Sequence, residues 1–258
     1  WLRPDQPNWI EVPDFPTWIG ADFIDMWGNP GAPYNPLALT ATWEQVKPRR
    51  ITEQIMELRD VIGEAVRGFA AQFGVRQRQL VKTHLESAYD SCKREERWPT
   101  MLDLHRDQHD DVAHLIGDLT EHRIFDDGPP LGDVVDQRKI FGFHKIPGDG
   151  QTTTLAGGFL ISAIWKAMQN RGGALNAVNY TLVVDEAHRV KELRALENML
   201  REGRGQGLAV ILATQSAADL PAYVHDNAQS RICFRILNED AARAAAQSLG
   251  SNDLAGRI

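Results

Sequence analysis

"YTLVVDEAHRV", residues 180–190, decides how the rest of the chain is read. An apolar run of strand length breaks off at two adjacent carboxylates, Asp185 and Glu186. Similar runs alternate with helical patterns on both sides. Upstream, "RKIFGFHKI" (138–146) reads as a strand and "TTTLAGGFLISAIWKAMQN" (152–170) as a helix closed by Arg171 and Gly172. Downstream come a helix through "RVKELRALENMLRE" (189–202) that stops at Gly203, and a strand in "GLAVILATQ" (207–215). A further strand in "SRICFRIL" (230–237) and a last helix in "EDAARAAAQSL" (239–249) complete the series. Apolar strands separated by helices of this length predict a parallel sheet covered on both faces, so residues 137–258 read as α/β.

The preceding part differs. Ile51, Ile55, Leu58, Ile62, Ala65 and Phe69 recur every three or four residues, with Arg50 or Thr52 near the helix start. A second helix is predicted over Arg76 to Lys93, and one or two more through residues 97–124, which makes 51–136 an all-helical insertion. Its histidines, His105 and His109 at i, i+4 among them, stand beside Asp110 and Asp111 without an HExxH pattern and read as surface decoration rather than a metal centre. Residues 1–50 hold five of the seven tryptophans, Trp1, Trp9, Trp18, Trp27 and Trp43. An extended, proline-rich arm with tryptophans docked on the main body outranks a base-stacking platform. A short strand in "ADFIDMWG" (21–28) and the turn-rich "NPGAPYNPLAL" (29–39) close this segment.

Composition narrows the setting. The chain has 258 residues, 43% of them hydrophobic, enough for a substantial core. With 28 Lys and Arg against 35 Asp and Glu there is no overall basic field, so any DNA contact is local or shared between subunits. Two cysteines, Cys92 and Cys233, exclude a disulfide framework and suit a reducing cytoplasm. No window has the roughly 18 apolar residues of a membrane helix.

In doubly wound sheets ligands sit at the carboxyl ends of the strands. Asp185 and Glu186 end one strand; Thr214 and Gln215 end the next, one crossover helix later. The two ends are expected to be neighbours. Such a pair suits phosphate chemistry, because one carboxylate holds Mg²⁺ through water, the other polarises the attacking water, and a side-chain amide senses the terminal phosphate.

Taken in order, "LVVDEAH" (182–188), "LREGRGQGLAVILATQSAADLP" (200–221) and "DNAQSRICFRI" (226–236) resemble the HerA/FtsK superfamily of ring-shaped DNA-pumping ATPases, conjugative coupling proteins included. "YNPLAL" (34–39) resembles the family's Asn-Pro-Leu segment before the helical insertion. The resemblance implies a RecA-like parallel sheet flanked by helices. It also implies ATP and Mg²⁺ as cofactors, with Asp185 the magnesium-associated acid, Glu186 the catalytic acid and Gln215 the sensor. Arg231 matches the arginine that reaches a neighbouring subunit's nucleotide, and Arg204 is a second candidate for that role. An ordinary strand-edge arginine is an equal reading of Arg231. Implied partners are double-stranded DNA, further copies in a closed ring such as a hexamer, and a nuclease, in DNA processing, conjugation or DNA-targeting defence.

One element of the family is missing: no G-x-x-x-x-G-K-[ST] occurs. "PGDGQTTTL" (147–155) lacks the lysine, and its Gly148, Gly150 and Thr152 to Thr154 read as a helix start with capping hydroxyls. The expectation is a phosphate loop upstream of Trp1. The box helicases suggested by "DEAH" rank low, because the next strand ends in Ala-Thr-Gln and there is room for one such domain. The rival reading is a non-catalytic scaffold of ATPase shape that binds a nuclease or partner motor.

Overall fold

The computed structural model describes residues 14–29, 31–67, 73–105, 111–148, 150–172, 177–234, 236 and 238–250. Trp1, Trp9, Phe69, His109 and Asp110 lie outside the described residues. A short helix α1 (Phe15–Ile19) leads into strand β1 (Asp22–Asp25). Helices α2 (Pro48–Ala65), α3 (Val75–Lys93), α4 (Met101–His105) and α5 (Asp111–Glu121) follow, and then strand β2 (Lys139–Gly142). The C-terminal part runs α6 (Gln151–Arg171), β3 (Tyr180–Val184), α7 (Arg194–Glu202), β4 (Leu208–Leu212), α8 (Ala222–Asn227) and α9 (Glu239–Ser248).

The strands pair in parallel, β1 with β2 and β3 with β4, as two separate two-stranded sheets. The first pairing joins the two ends of the helical block, Asp22 opposite Lys139 and Asp25 opposite Gly142. Strands from the segments read as 1–50 and 137–258 therefore share a sheet, and one apolar core runs from Ile24 through Ile55, Leu104 and Leu155 to Leu208.

Two departures from the sequence reading concern the sheet. Residues 231–234 form no ladder among the described residues, and Ile232 and Phe234 are more than 80% exposed. Their alternation has the pattern of a strand, but among the described residues no neighbour supplies the hydrogen bonds or the cover that would make one. The β3–β4 pair is likewise covered on one face only. Tyr180, Leu182, Val184, Val210 and Leu212 pack on the core, whereas Val183 and Ile211 point outward and are over half exposed.

Helix α6 is the centre of the molecule. Leu155, Ala156, Phe159, Leu160, Ile161, Ile164, Trp165 and Met168 are all buried along its length. Near its start Gly158 takes Val61 and Ala65 of α2 and Leu193 at 3.5 Å from where a Cβ would stand, a space that accommodates a methyl group and little more. The helix ends at Gly172, which adopts φ +74°.

The Asn-Pro-Leu segment acts as a bracket. Asn35 is 1% exposed. Its Nδ2 donates to the Pro99 carbonyl (3.0 Å), and its Oδ1 accepts from Leu37 N (2.9 Å). Its backbone pairs with Pro129 and Leu131, where the chain leaves the helical block. Gly31 and Gly128 make this approach feasible, since a Cβ on either would stand 2.5 Å from a carbonyl oxygen of the facing segment. Tyr89 adds a bond from its hydroxyl to the Leu37 carbonyl (2.5 Å), and burial raises its phenol pKa. Trp43 stacks on Trp98 with ring centroids 4.4 Å apart and donates Nε1–H to the Arg97 carbonyl. Trp27 packs against His122, whereas Trp18 is exposed. Trp27 and Trp43 are thus docked on the body, as expected of the arm.

Replacing Asn35 with Ala leaves the Pro99 carbonyl and the Leu37 amide buried without partners. Urea denaturation is expected to show a loss of about 3 kcal/mol, from two such groups at 1–3 kcal/mol each; a loss below about 0.5 kcal/mol would remove the bracket.

Candidate functional site

The carboxyl ends of β3 and β4 meet. Tyr180 stands opposite Leu208 and Val184 opposite Leu212, and the pairing continues past the strands, from Ala213 N to the Val184 carbonyl and from Ala187 N to the Ala213 carbonyl, each 2.9 Å. This register carries Glu186 and Gln215 to the same place. Gln215 Nε2 donates to Glu186 Oε1 at 2.7 Å. Asp185 is exposed and accepts the Glu186 amide on Oδ1 at 2.9 Å, which leaves its second carboxylate oxygen without a bond among the described residues.

Glu186 reaches Gln215 through an unusual backbone. Its φ and ψ are +52° and +46°, in the left-handed region. Among the described residues Glu96 and Arg123 are the other non-glycines at positive φ, and both lie in turns two or three residues beyond a helix end. Glu186 follows a strand. The reversal sends the chain into a single tight turn at Ala187–Val190, so the predicted helix over 189–202 begins late, at Arg194.

This turn is tied to the segment after β4. Lys191 Nζ donates to the Asp219 carbonyl (3.0 Å), and the Tyr223 hydroxyl donates to the Lys191 carbonyl (2.7 Å). Burial pushes the Tyr223 phenol up to about 12. His188 Nδ1 lies 3.2 Å from Glu186 Oε2, at an angle that makes no hydrogen bond, so the contact is electrostatic at most.

Neither candidate arginine bonds to the carboxylates among the described residues. Arg231 is exposed and donates to the His225 carbonyl, and His225 in turn contacts the Ala217 carbonyl (3.1 Å). Arg204 lies before β4 while Gln215 lies after it. At about 3.3 Å per residue, roughly 20 Å of strand separates Arg204 from the carboxylates. Within one chain neither arginine joins Asp185, Glu186 and Gln215.

The threonines after Gly150 are not caps. Gly150, at φ +93°, is the N-cap residue of α6 and makes no side-chain cap, so the hydroxyls fall inside the first turn. Thr152 donates to Asp118 Oδ2 (3.0 Å), and Thr154 Oγ1 is buried without a partner. The sequence reading also passed over His188, which stands beside Glu186, and Arg189, whose guanidinium lies against Gly150. Their positions directly after the strand-end acids were the available signal.

Among the described residues no three His, Cys, Asp or Glu side chains gather as a metal nest. The donor set instead fits a hydrated Mg²⁺, which needs one or two carboxylates and keeps several waters. Asp185 offers one free oxygen. No helix among the described residues is long and apolar enough to cross a membrane.

Residues 179–257 match the family model described as the TraM recognition site of TraD and TraG. The match spans a little under a third of the chain, from the start of β3 past α9, and so includes Asp185, Glu186 and Gln215. No curated protein sequence matches the chain.

The left-handed backbone of Glu186 is testable by stability alone. Glycine is ordinarily less stable than alanine by up to 1 kcal/mol, but a non-glycine residue pays about 1–2 kcal/mol in this region. Urea denaturation is therefore expected to rank Glu186→Gly at or above Glu186→Ala, and Ala the more stable by 1 kcal/mol would contradict the geometry.

Proposed function

We propose that the chain is part of an ATP-driven DNA motor of the HerA/FtsK type, of the conjugative coupling-protein kind. The observation that carries this reading is the 2.7 Å bond between Gln215 and Glu186 across two paired parallel strands, beside Asp185. The match of the same segment to TraD and TraG supports it. A RecA-like fold is part of this reading; among the described residues the two parallel strand pairs are separate sheets. Asp185 would hold Mg²⁺, Glu186 would accept a proton from the attacking water, and Gln215 keeps the Glu186 carboxylate aimed. Bound magnesium neutralises charge developing on the nucleotide phosphates. The Gly-rich, lysine-bearing phosphate loop that such a motor uses does not occur in residues 1–258.

Arg204 and Arg231, neither of which bonds to the carboxylates of its own chain among the described residues, act on a neighbouring copy. This requires a head-to-tail ring, with a hexamer as the natural closed form. Double-stranded DNA is the proposed track and the cytoplasm the proposed setting.

A second reading is a protein-docking module without catalysis. The description of the matched family as a TraM recognition site favours it, as does the pair of exposed apolar side chains, Ile232 and Phe234, on an unpaired extended segment. The partner in that case is a TraM-like protein.

Two substitutions in the intact protein separate these readings. Glu186→Gln is expected to lower ATP turnover at least 100-fold while nucleotide binding persists, since it removes the proton acceptor and keeps the shape. Turnover equal to wild type would exclude the motor. Phe234→Asp is expected to weaken capture of a purified TraM-type protein at least ten-fold, by a pull-down titration, and leave turnover unaltered. Undiminished capture would remove the docking role of this segment.

A further inference from the structure

Glu186 has two carboxylate oxygens, and the bond from Gln215 Nε2 at 2.7 Å uses the first, Oε1. The second, Oε2, faces a histidine. His188 Nδ1 stands 3.2 Å from it, and among the described residues Glu186 is the acid within ion-pair distance of that ring. The turn itself brings the ring there. Arg189 N donates to the Glu186 carbonyl at 3.0 Å and Ala187 N to the Ala213 carbonyl at 2.9 Å, while the Ala187 and Val190 side chains are buried. His188 is thus folded back on the residue two positions before it.

Three properties of Nδ1 decide what this contact does. The first is its enclosure: the side chain is 35% exposed, yet Nδ1 itself is buried and has no hydrogen-bond partner. Water does not satisfy it, and a buried polar atom left without a partner is costly and rare. The second is charge. An unprotonated Nδ1 directs a lone pair at the carboxylate oxygen, and at 3.2 Å the two repel, whereas a proton on Nδ1 turns the repulsion into attraction. The third is alignment. The separation already lies within hydrogen-bond range and only the angle falls short; the torsion that turns a histidine ring is broad, so a rotation of the ring in place brings Nδ1–H onto Oε2.

We propose that His188 is a positioning residue for Glu186: Nδ1 carries the proton of the neutral ring and, opposite Gln215, holds the second carboxylate oxygen. A carboxylate held by one bond turns about it. Held on both oxygens it keeps one orientation, and since it has about four lone-pair sites, the two donors leave room for a proton from water. For its consequence in catalysis this role rests on the hydrolytic reading; the place of the proton on the ring does not.

Two measurements test this. Heteronuclear NMR of the intact protein, with its histidine rings isotopically labelled, reads the tautomer directly, the His188 signal being the one lost in His188→Asn. On the alkaline side of the ring's own titration, Nδ1–H is expected in the wild type. Glu186→Ala is expected to return the ring to Nε2–H, the form favoured in water. Nε2–H in the wild type, or a tautomer indifferent to Glu186→Ala, overturns the proposal whether or not the protein hydrolyses ATP.

The second measurement is steady-state ATP turnover. His188→Ala is expected to lower kcat about ten-fold with KM within about two-fold of wild type, because misaiming a proton acceptor slows the chemical step and spares nucleotide binding. His188→Asn, whose amide nitrogen stands where Nδ1 stands, is expected to recover most of that kcat. Equal loss in the Ala and Asn variants overturns the positioning role. Absence of turnover in the wild type, with Nδ1–H present, ends the hydrolytic reading and leaves the contact between His188 and Glu186 standing.

Discussion

The burial of α6 is the constraint on which the remaining structure depends. A helix apolar on nearly every side is stable only when surrounded, and α2, α7, the turn at 131–136 and the turn at 187–190 all lie against it. Gly157 and Gly158 set how near they come, with Val190 approaching the first and α2 the second. The tight turn that aims Glu186 therefore rests on the same helix that organises the core. A shift of α6 would move the candidate site with it.

The carboxylates are positioned mainly by backbone. Parallel pairing between β3 and β4 supplies the register, and the left-handed residue at 186 redirects one chain toward the other. Side chains add the bond from Gln215 to Glu186 and that from the Glu186 amide to Asp185. The arrangement is open on the outer face of the sheet, where Val183 and Ile211 meet solvent.

What the sequence made legible follows from how local each signal is. The strands in "ADFIDMWG", "RKIFGFHKI", "YTLVVD" and "GLAVILATQ" and the helices ending at Arg171 and Glu202 were readable, because their periodicity and glycine stops are written in consecutive residues. So was the meeting of Glu186 with Gln215, since one crossover helix between parallel strands brings their ends together. The pairing of β1 with β2 was not legible, for it depends on the geometry of the whole helical block. Residues 231–234 misled for a related reason: alternation records a preference for extended backbone, not whether a neighbouring strand exists. Thr154 reads as a cap until Gly150 is seen to occupy that position.

The partnership of β1 and β2 also bears on how the chain assembles. The ion pair between Lys139 and Asp22 joins residues 117 positions apart, so this small sheet closes a very long loop. The conformational entropy of that closure is lost before any ladder bond forms. The helices between them can gather first through short-range contacts, bringing the two strands together as a late step. On a ribosome, β1 would wait exposed until β2 had been made, and a chaperone that shields Phe23 and Ile24 in the interval would raise the yield of native protein.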